Sequence, residues 1–335
     1  MLLQLVARVS SRVFVGPELC ANEDWLDVSV NITIHGMTAA ESLSHWPSYL
    51  RPLVYRFLPK VRKLQQEMSR GRKILKPIFQ KRREENRMAR DAGEKASKVV
   101  DTVGWLDEAA KGRSYDDTLA QLGLSFAAIH TTSELISGIV NDICDHPEWL
   151  DALRKEMSTA IKAHGWSKKA LQDMRLTDSL MKESQRHHFG DIAAMHRVAS
   201  ESLQLSDGTR IPKGAYSMVA LDKMDDTAVF EDPSGFNPRR FLDMRQQPGQ
   251  ENKWQFVTTS PEHLSFGHGK HSCPGRFFAS NEVKVILVYL IMKYDWKWAA
   301  DGRKAELVSA LGSAADATAT AMIRSRDHEL PTPVL

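Results

Sequence analysis

Cysteine is scarce in this chain of 335 residues: Cys20, Cys144 and Cys273 are the only three. An odd number of widely separated thiols excludes a disulfide framework and a paired zinc motif, and it points to a reducing compartment. Long apolar runs are also missing. The longest, Val285 to Met292, is closed by Lys284 and Lys293 and falls far short of the roughly 20 residues that a bilayer-spanning helix needs. Charge of one sign is not in excess: 45 basic and 42 acidic side chains leave a net +3, which offers no bulk attraction for nucleic acid. No internal repeat is visible. What is present is ordinary globular usage, 42% hydrophobic and 26% charged, enough to bury a full core in one large domain or two smaller ones.

The first sixteen residues weakly imitate a secretion signal, but Gln4 and Arg8 interrupt the apolar stretch and no basic segment precedes it. Leu2, Leu3, Leu5, Val6, Val9 and Val13 suit a helix packed on a core instead. Leu50 to Arg90 reads as a long basic helix broken near Pro52, Pro59 and Pro77. Its Lys81-Arg82-Arg83-Glu84-Glu85 cluster is expected to be a solvated face, with a docking patch as the other reading. Further helices are expected over Tyr115 to Asp145, Glu148 to His164, and Asp178 to His188, the last capped by Thr177 or Asp178. After Gly190 the texture changes. Leu203 to Leu205 and Tyr216 to Leu221 read as short strands, with Asp207-Gly208 and Lys213-Gly214 as turns. A long Pro/Gly/Gln-rich stretch follows from Asp232 to Pro261, then a glycine-rich loop and a helix ending near Tyr294; the Ala/Ser/Thr-rich tail from Ala310 to Ala321 is uninformative.

The loop from Phe266 to Phe277 is the most informative stretch. Gly267, Gly269 and Gly275 permit turns and close approaches that a side chain blocks. Cys273 stands just before a helix, with Pro274 suited to its first position. A sulfur there meets the positive end of the helix dipole, which favours the thiolate. A lone thiolate on such a loop is a candidate axial ligand to haem iron. Two other readings stay open: a buried free cysteine in an ordinary turn, and a zinc site using Cys273 with His268 and His271, which the tight glycines suit poorly.

This loop resembles the haem-binding signature of the cytochromes P450, the haem-thiolate monooxygenases. Phe266, Gly269, His271, Cys273 and Gly275 fill its fixed positions, His271 standing where arginine is commoner. Three more blocks follow the family's order. Glu183-Ser184-Gln185-Arg186 is similar to its Glu-x-x-Arg helix, Phe236 to Phe241 to its Phe-x-Pro-x-Arg-Phe segment, and Ala127 to Thr132 to its oxygen-activation helix. In that helix Ala128 replaces a glycine and His130 replaces the usual carboxylate, and this variant resembles fungal members that oxidise terpenoids and related secondary metabolites.

The resemblance implies a mainly α fold with small β-sheets, the cytochrome P450 fold lacking its N-terminal portion. It implies one partial domain over residues 1–335, with a helical part to 190 and a strand, meander and cysteine-loop part from 191. The membrane anchor, hinge, most of a small sheet, the pocket lid and a Trp-x-x-x-Arg helix have no counterpart; Trp25, Trp46 and Trp105 do not stand in that pattern.

By the same resemblance the cofactor is haem b. Cys273 ligates its iron, His271 and Arg197 hold propionates, and Phe266, Gly269 and Gly275 shape the loop. Thr131 and His130 deliver protons to oxygen, an imidazole being able to replace a carboxylate in a relay. Glu183, Arg186 and Arg240 form a network beneath the loop. Phe126, Ile129, Ile192, Ala193, Ala194 and Met195 match pocket-lining regions, and their apolar character implies a hydrophobic small-molecule substrate. Electrons are expected from NADPH through the flavoprotein NADPH–cytochrome P450 reductase, with cytochrome b5 as a further donor, at the cytosolic face of the endoplasmic reticulum. Lys182, Lys270 and Arg276 are candidates for the basic face that meets the reductase, ordinary surface charge being the other reading. Two other functions compete: a non-catalytic remnant that holds haem poorly, and a reductase-independent isomerase or dehydratase, against which Thr131 counts.

Overall fold

The computed structural model describes residues 1–93, 100–300, 302–304, 307–309, 312–314 and 318–327. The chain divides into two compact units, Met1–Ser133 and Glu134–Leu335.

The first unit is helical. Helix α1 (Leu2–Phe14) forms as expected, but it turns Val6, Ala7 and Phe14 inward, and of the residues expected on the core only Val6 is fully covered, Leu2, Leu3, Leu5, Val9 and Val13 being half-buried. Helix α2 (Glu23–Ser44) begins at Asn22, whose side chain accepts the Trp25 N–H at 2.9 Å, a standard N-cap. The buried Trp25 indole donates back to Ser11 Oγ at 2.9 Å, tying α2 to α1. A short α3 (Arg51–Val54) precedes α4 (Pro59–Asp91), and α5 (Thr102–Ala110) leads to α6 (Asp117–Asp145), which continues into the second unit.

Pro52 and Pro59 mark breaks as expected, but Pro77 does not: α4 runs through it. An interior proline loses one backbone hydrogen bond and costs about 3 kcal/mol in isolation. Leu75 and Phe79 on either side are each 1% exposed, so burial of the flanking turns offsets that cost. Gly71 supplies the close approach on the same helix, since a Cβ there would lie 3.2 Å from Leu122 and 3.4 Å from Val28.

The Lys81 to Glu85 cluster is not simply a solvated face. Arg82 is buried and bonds Asp101 at 2.5 Å and Glu18 at 2.8 Å, while Arg83 bonds Asp107 and Asp117. Gly16, at φ +80°, lies against this cluster, where a Cβ would stand 2.8 Å from all three of Arg82, Asp101 and Glu18.

In the second unit α7 (Leu150–His164) and α8 (Lys168–Asp173) lead into α9 (Arg175–His187). Every residue of α9 from Leu176 to Arg186 is buried. The expected cap at Thr177 or Asp178 is not used, because the cap position falls three to four residues earlier at Met174, whose side chain makes no capping bond. Glu156 of α7 supplies the acceptors instead, taking the N–H groups of Leu176 at 2.6 Å and Thr177 at 2.9 Å, a carboxylate at the positive helix end.

Strand β1 (Ala193–Val198) pairs antiparallel with β4 (Tyr216–Ala220), and β2 (Leu203–Gln204) with β3 (Arg210–Ile211). Sequence reading expects β2 and β4 but misses β1 and β3. The meander carries a short α10 (Arg240–Met244), whose Phe241 packs edge-on to Phe230 and beside Trp254. Helix α11 (Arg276–Lys293) begins after Gly275, not at Pro274 as expected. It joins α9 through Lys284, which bonds the Asp178 carboxylate at 2.7 Å. Strand β5 (Tyr294–Trp298) pairs with β8 (Ala321–Ser325), and β6 (Leu307–Ser309) with β7 (Gly312–Ala314). Among the described residues no helix is long and apolar enough to cross a membrane.

Arg82→Ala leaves the fully buried Asp101 carboxylate without its cation, and loss of one partner of a buried pair costs about 3–5 kcal/mol. Urea denaturation of wild type and variant should separate by that amount.

Candidate haem site

The second unit contains a cavity of about 390 Å³. Its walls come from strand β1 and the segment leading into it on one side, with Ala193, Ala194, Met195 and Arg197, and from the cysteine loop on the other, with Phe266, Gly267, His271 and Cys273. Two stretches that are 76 residues apart at Arg197 and Cys273 thus meet around one space. Phe189, Asp191, His196, Leu264 and Ser265 also line it; sequence reading missed these, although each flanks a residue it named or nearly so.

The loop geometry follows from its glycines. Gly267 and Gly269 adopt φ of +65° and +72°, the left-handed region that other residues enter at a cost. The turn they form brings the Cys273 N–H back onto the Phe266 carbonyl at 2.8 Å. Phe266 packs edge-on against the buried Phe256 with centroids 5.1 Å apart. A Cβ at Gly275 would stand 3.8 Å from Cys273 Sγ, so the glycine leaves room beside the sulfur. Gly269, by contrast, opens a short turn of 3-10 helix over Gly269–His271.

On the opposite wall β1 is irregular. Its register with β4 shifts between Ala194 and Arg197, and Met195 there has φ +55°. A methionine in that conformation is uncommon and stores strain. Arg197 is exposed, with Nη1 donating to the His196 carbonyl at 2.7 Å. Ile192 is exposed and does not line the cavity; its carbonyl accepts the Leu221 N–H.

An ionic network joins α9 to the meander. Arg186 grips Glu183 with two bonds of 3.0 Å, and Arg240 Nε reaches the same carboxylate at 2.9 Å. Glu183 also accepts the Asn237 N–H at 3.1 Å. The other guanidinium donors are met as well: Arg186 bonds the Met224 carbonyl at 2.9 Å, the Asp225 carboxylate at 3.4 Å and His187 Nε2 at 2.6 Å, and Arg240 the carbonyls of Glu231, Asp232 and Gly235. Glu183 and Arg186 have no side-chain exposure, and Arg240 has 7%. Burial by itself pushes the Glu183 carboxyl up, but hydrogen bonds from His187 and Arg186 and the charges of Arg186 and Arg240 outweigh it and hold it at about 2.

The candidate basic face is only partly a surface. Lys182 is 1% exposed and donates to the carbonyls of Gln255 at 3.1 Å and Thr258 at 2.9 Å. Burial lowers its ammonium to about 7, with Asp178 pulling the other way. Arg276 also turns inward, bonding the carbonyls of Val257 and Cys273. Only Lys270 of the three is exposed. All faces of α9 are covered, so the helix has no polar side on which Lys182 could reach solvent.

The oxygen-activation stretch lies on α6 in the first unit. Phe126, Ala127 and Thr131 are exposed on one broad face. Thr131 Oγ1 donates to the Ala127 carbonyl at 2.9 Å. His130 bonds the Val30 carbonyl through Nε2 at 3.1 Å, linking α6 to α2. Ile129, expected at the pocket, is fully buried; at about 100° per residue it points roughly 200° away from Thr131.

The donor set fits a haem. One sulfur lines the cavity, with a glycine leaving space beside it and polar His271 and Arg197 in the same walls. The Ser265 hydroxyl is buried there without a hydrogen-bond partner. The other thiols are elsewhere: Cys144 is buried, which with the nearby Asp145 raises it to about 11, and Cys20 donates to the Pro17 carbonyl. Zinc is poorly served, since His268 bonds Thr259, and no group of three metal-ligating side chains occurs among the described residues.

Comparison with known proteins agrees. The family model for cytochrome P450 matches residues 1–312. The chain belongs to the cytochrome P450 family. It is 43% identical over 332 residues to the cytochrome P450 monooxygenase hepE of Aspergillus oryzae, covering 98% of this chain and 61% of that protein. It is 45% identical over 330 residues to the cytochrome P450 monooxygenase adrA of Penicillium rubens, covering 98% and 64%. Its fold superposes on retinoic acid bound cyanobacterial CYP120A1 with a TM-score of 0.72 at 19% identity, covering 97% of this chain and 68% of that one. The chain therefore spans about three-fifths of the length of these two fungal relatives. Membership in the P450 family implies a haem cofactor.

The low value at Glu183 has a pH consequence. Its carboxyl is depressed relative to the ordinary 4.5, so the stabilisation is complete above about pH 5 and is lost as pH falls toward 2. Unfolding midpoints measured between pH 5 and 3 should fall steeply for wild type and less so for Glu183→Gln, which starts lower.

Proposed function

We propose that this P450 chain carries the haem-binding and oxygen-handling portion of a monooxygenase that oxidises a hydrophobic small molecule, a terpenoid or related secondary metabolite. One observation carries the reading: Cys273 lies in the wall of a cavity whose other wall is β1, with the whole signature loop folded around it. When bound, haem supplies dioxygen activation and the oxidising power that an unactivated C–H bond demands.

The chain's own residues then divide the work. Cys273 holds the iron through its sulfur, the ligand type that favours O–O cleavage. His271 and Arg197 hold the propionates. Glu183, Arg186 and Arg240 keep the meander and α9 rigid beneath. Ala193, Ala194 and Met195 present an apolar wall to the substrate, in keeping with a hydrophobic ligand.

Thr131 is the proton-handling hydroxyl. At rest it donates to the Ala127 carbonyl, and turning it off that acceptor frees it to serve oxygen. With Nε2 of His130 engaged by Val30, Nδ1 is the ring nitrogen left for proton transfer. The electron source is NADPH through NADPH–cytochrome P450 reductase, with cytochrome b5 as a further donor, at the cytosolic face of the endoplasmic reticulum. The fungal P450 relatives are named as monooxygenases, which supports the reaction class.

The deciding experiment is a carbon monoxide difference spectrum of the haem-supplemented, dithionite-reduced protein beside Cys273→Ala. A strongly red-shifted Soret band that vanishes in the variant is expected. No bound haem, or a band indifferent to the substitution, would mean that this polypeptide is not the working enzyme. In a reductase-coupled assay Thr131→Ala should keep the red-shifted band and lose roughly tenfold or more of product formation, as removal of a proton donor does.

A further inference from the structure

Arg276 opens α11 three residues after Cys273, and its guanidinium makes two backbone bonds in different directions. Nη1 donates to the Cys273 carbonyl at 2.7 Å, and Nε to the Val257 carbonyl at 3.0 Å. The Cys273 N–H is already held by Phe266 at 2.8 Å. Both main-chain polar groups of the cysteine are therefore fixed, which leaves only its side-chain torsion free.

What Arg276 ties the cysteine to is itself anchored. The segment from Gln255 to Thr258 is bound to α9 at each residue but Val257. Lys182 Nζ takes the carbonyls of Gln255 and Thr258, and the Asp178 carboxylate takes the Phe256 N–H at 2.9 Å. Arg276 takes the carbonyl of Val257, the one residue of the run that α9 does not hold. The Phe256 ring packs against Phe266 at the start of the cysteine loop. Cys273 is thus referenced to the buried α9 by two routes: through Phe266 and Phe256, and through Arg276 and Val257. A planar guanidinium suits this task, because its N–H groups point along fixed, divergent directions that an ammonium cannot reproduce.

We propose that Arg276 is a positioning residue for Cys273: by bridging the Cys273 and Val257 carbonyls it sets where the cysteine backbone stands relative to α9, and so where the sulfur is presented to haem. This rests on the haem reading given above. It differs from a docking role for Arg276 on the proximal face, which would leave the loop unchanged when the charge is removed.

The test has a haem-free arm and a haem-bound arm, each comparing wild type, Arg276→Gln and Arg276→Lys. In the haem-free chain, amide hydrogen exchange over residues 267–275 should accelerate roughly tenfold in Arg276→Gln, the scale of one lost charge-assisted bond, with exchange in α9 unchanged. In the reduced, carbon monoxide-bound protein, the red-shifted band should shrink in Arg276→Gln in favour of the band of a haem that has lost its thiolate. Arg276→Lys should recover only part of either signal. Unchanged loop exchange in Arg276→Gln overturns the proposal, and so does full recovery by Arg276→Lys, since charge alone would then suffice. If wild type itself shows no red-shifted band, the haem reading fails, and the exchange arm still decides whether Arg276 fixes the loop.

Discussion

A carboxylate with no exposure to water is the constraint on which the second unit depends. Glu183 is tolerable inside only because two guanidinium groups and a backbone N–H surround it, and those guanidinium groups are tolerable only because their remaining donors meet acceptors of their own. Satisfaction is therefore all or none. The requirement fixes three pieces of chain at once: the end of α9, the turn at Met224, and the meander from Glu231 to Arg240. Helix α9 in turn holds the segment that braces the cysteine loop. The network is a way of making an irregular, proline- and glycine-rich stretch hold one conformation without regular secondary structure.

A second, smaller network does the same for the loop itself. Asp178, Lys182 and Arg276 between them bind a run of four residues that has neither helix nor strand. The buried Lys182 and the half-buried Arg276 act as connectors between backbone carbonyls. The cost is desolvation, visible in the lowered Lys182 ammonium, and the benefit is that three carbonyls of a loop without a ladder find donors.

Much of this was legible in the amino-acid sequence. The apolar spacing of α1, α6 and α11 marked them as helices, and the string around Cys273 singled out the loop. The Glu183, Arg186 and Arg240 blocks stood out by resemblance, and the structure brings them to one carboxylate. Other features left no local trace. Strand β1 was missed because a bulge at Met195 breaks the alternation by which strands are read. The cap of α9 comes from Glu156, twenty residues upstream, so no neighbouring residue announces it. Pro77 signalled a break that tertiary packing overrides. The direction of Lys182 and Arg276 was the hardest to see, because a charged side chain reads as surface until every neighbour is known to be covered. Family analogy points Ile129 at the pocket, whereas helical geometry sets it on the face opposite Thr131, where it is fully buried.

The bulge in β1 has a consequence for how the cavity can change. At a regular strand position, side-chain replacement alters volume while the main chain stays put. At Met195 the backbone itself is in a conformation that glycine, asparagine and aspartate enter readily and β-branched residues resist. Valine or isoleucine at this position would press the strand back toward regular pairing and swing the following residues, Arg197 among them, onto new headings. Drift at one codon would then remodel a whole wall, so that ligand range and cofactor grip would change together instead of separately.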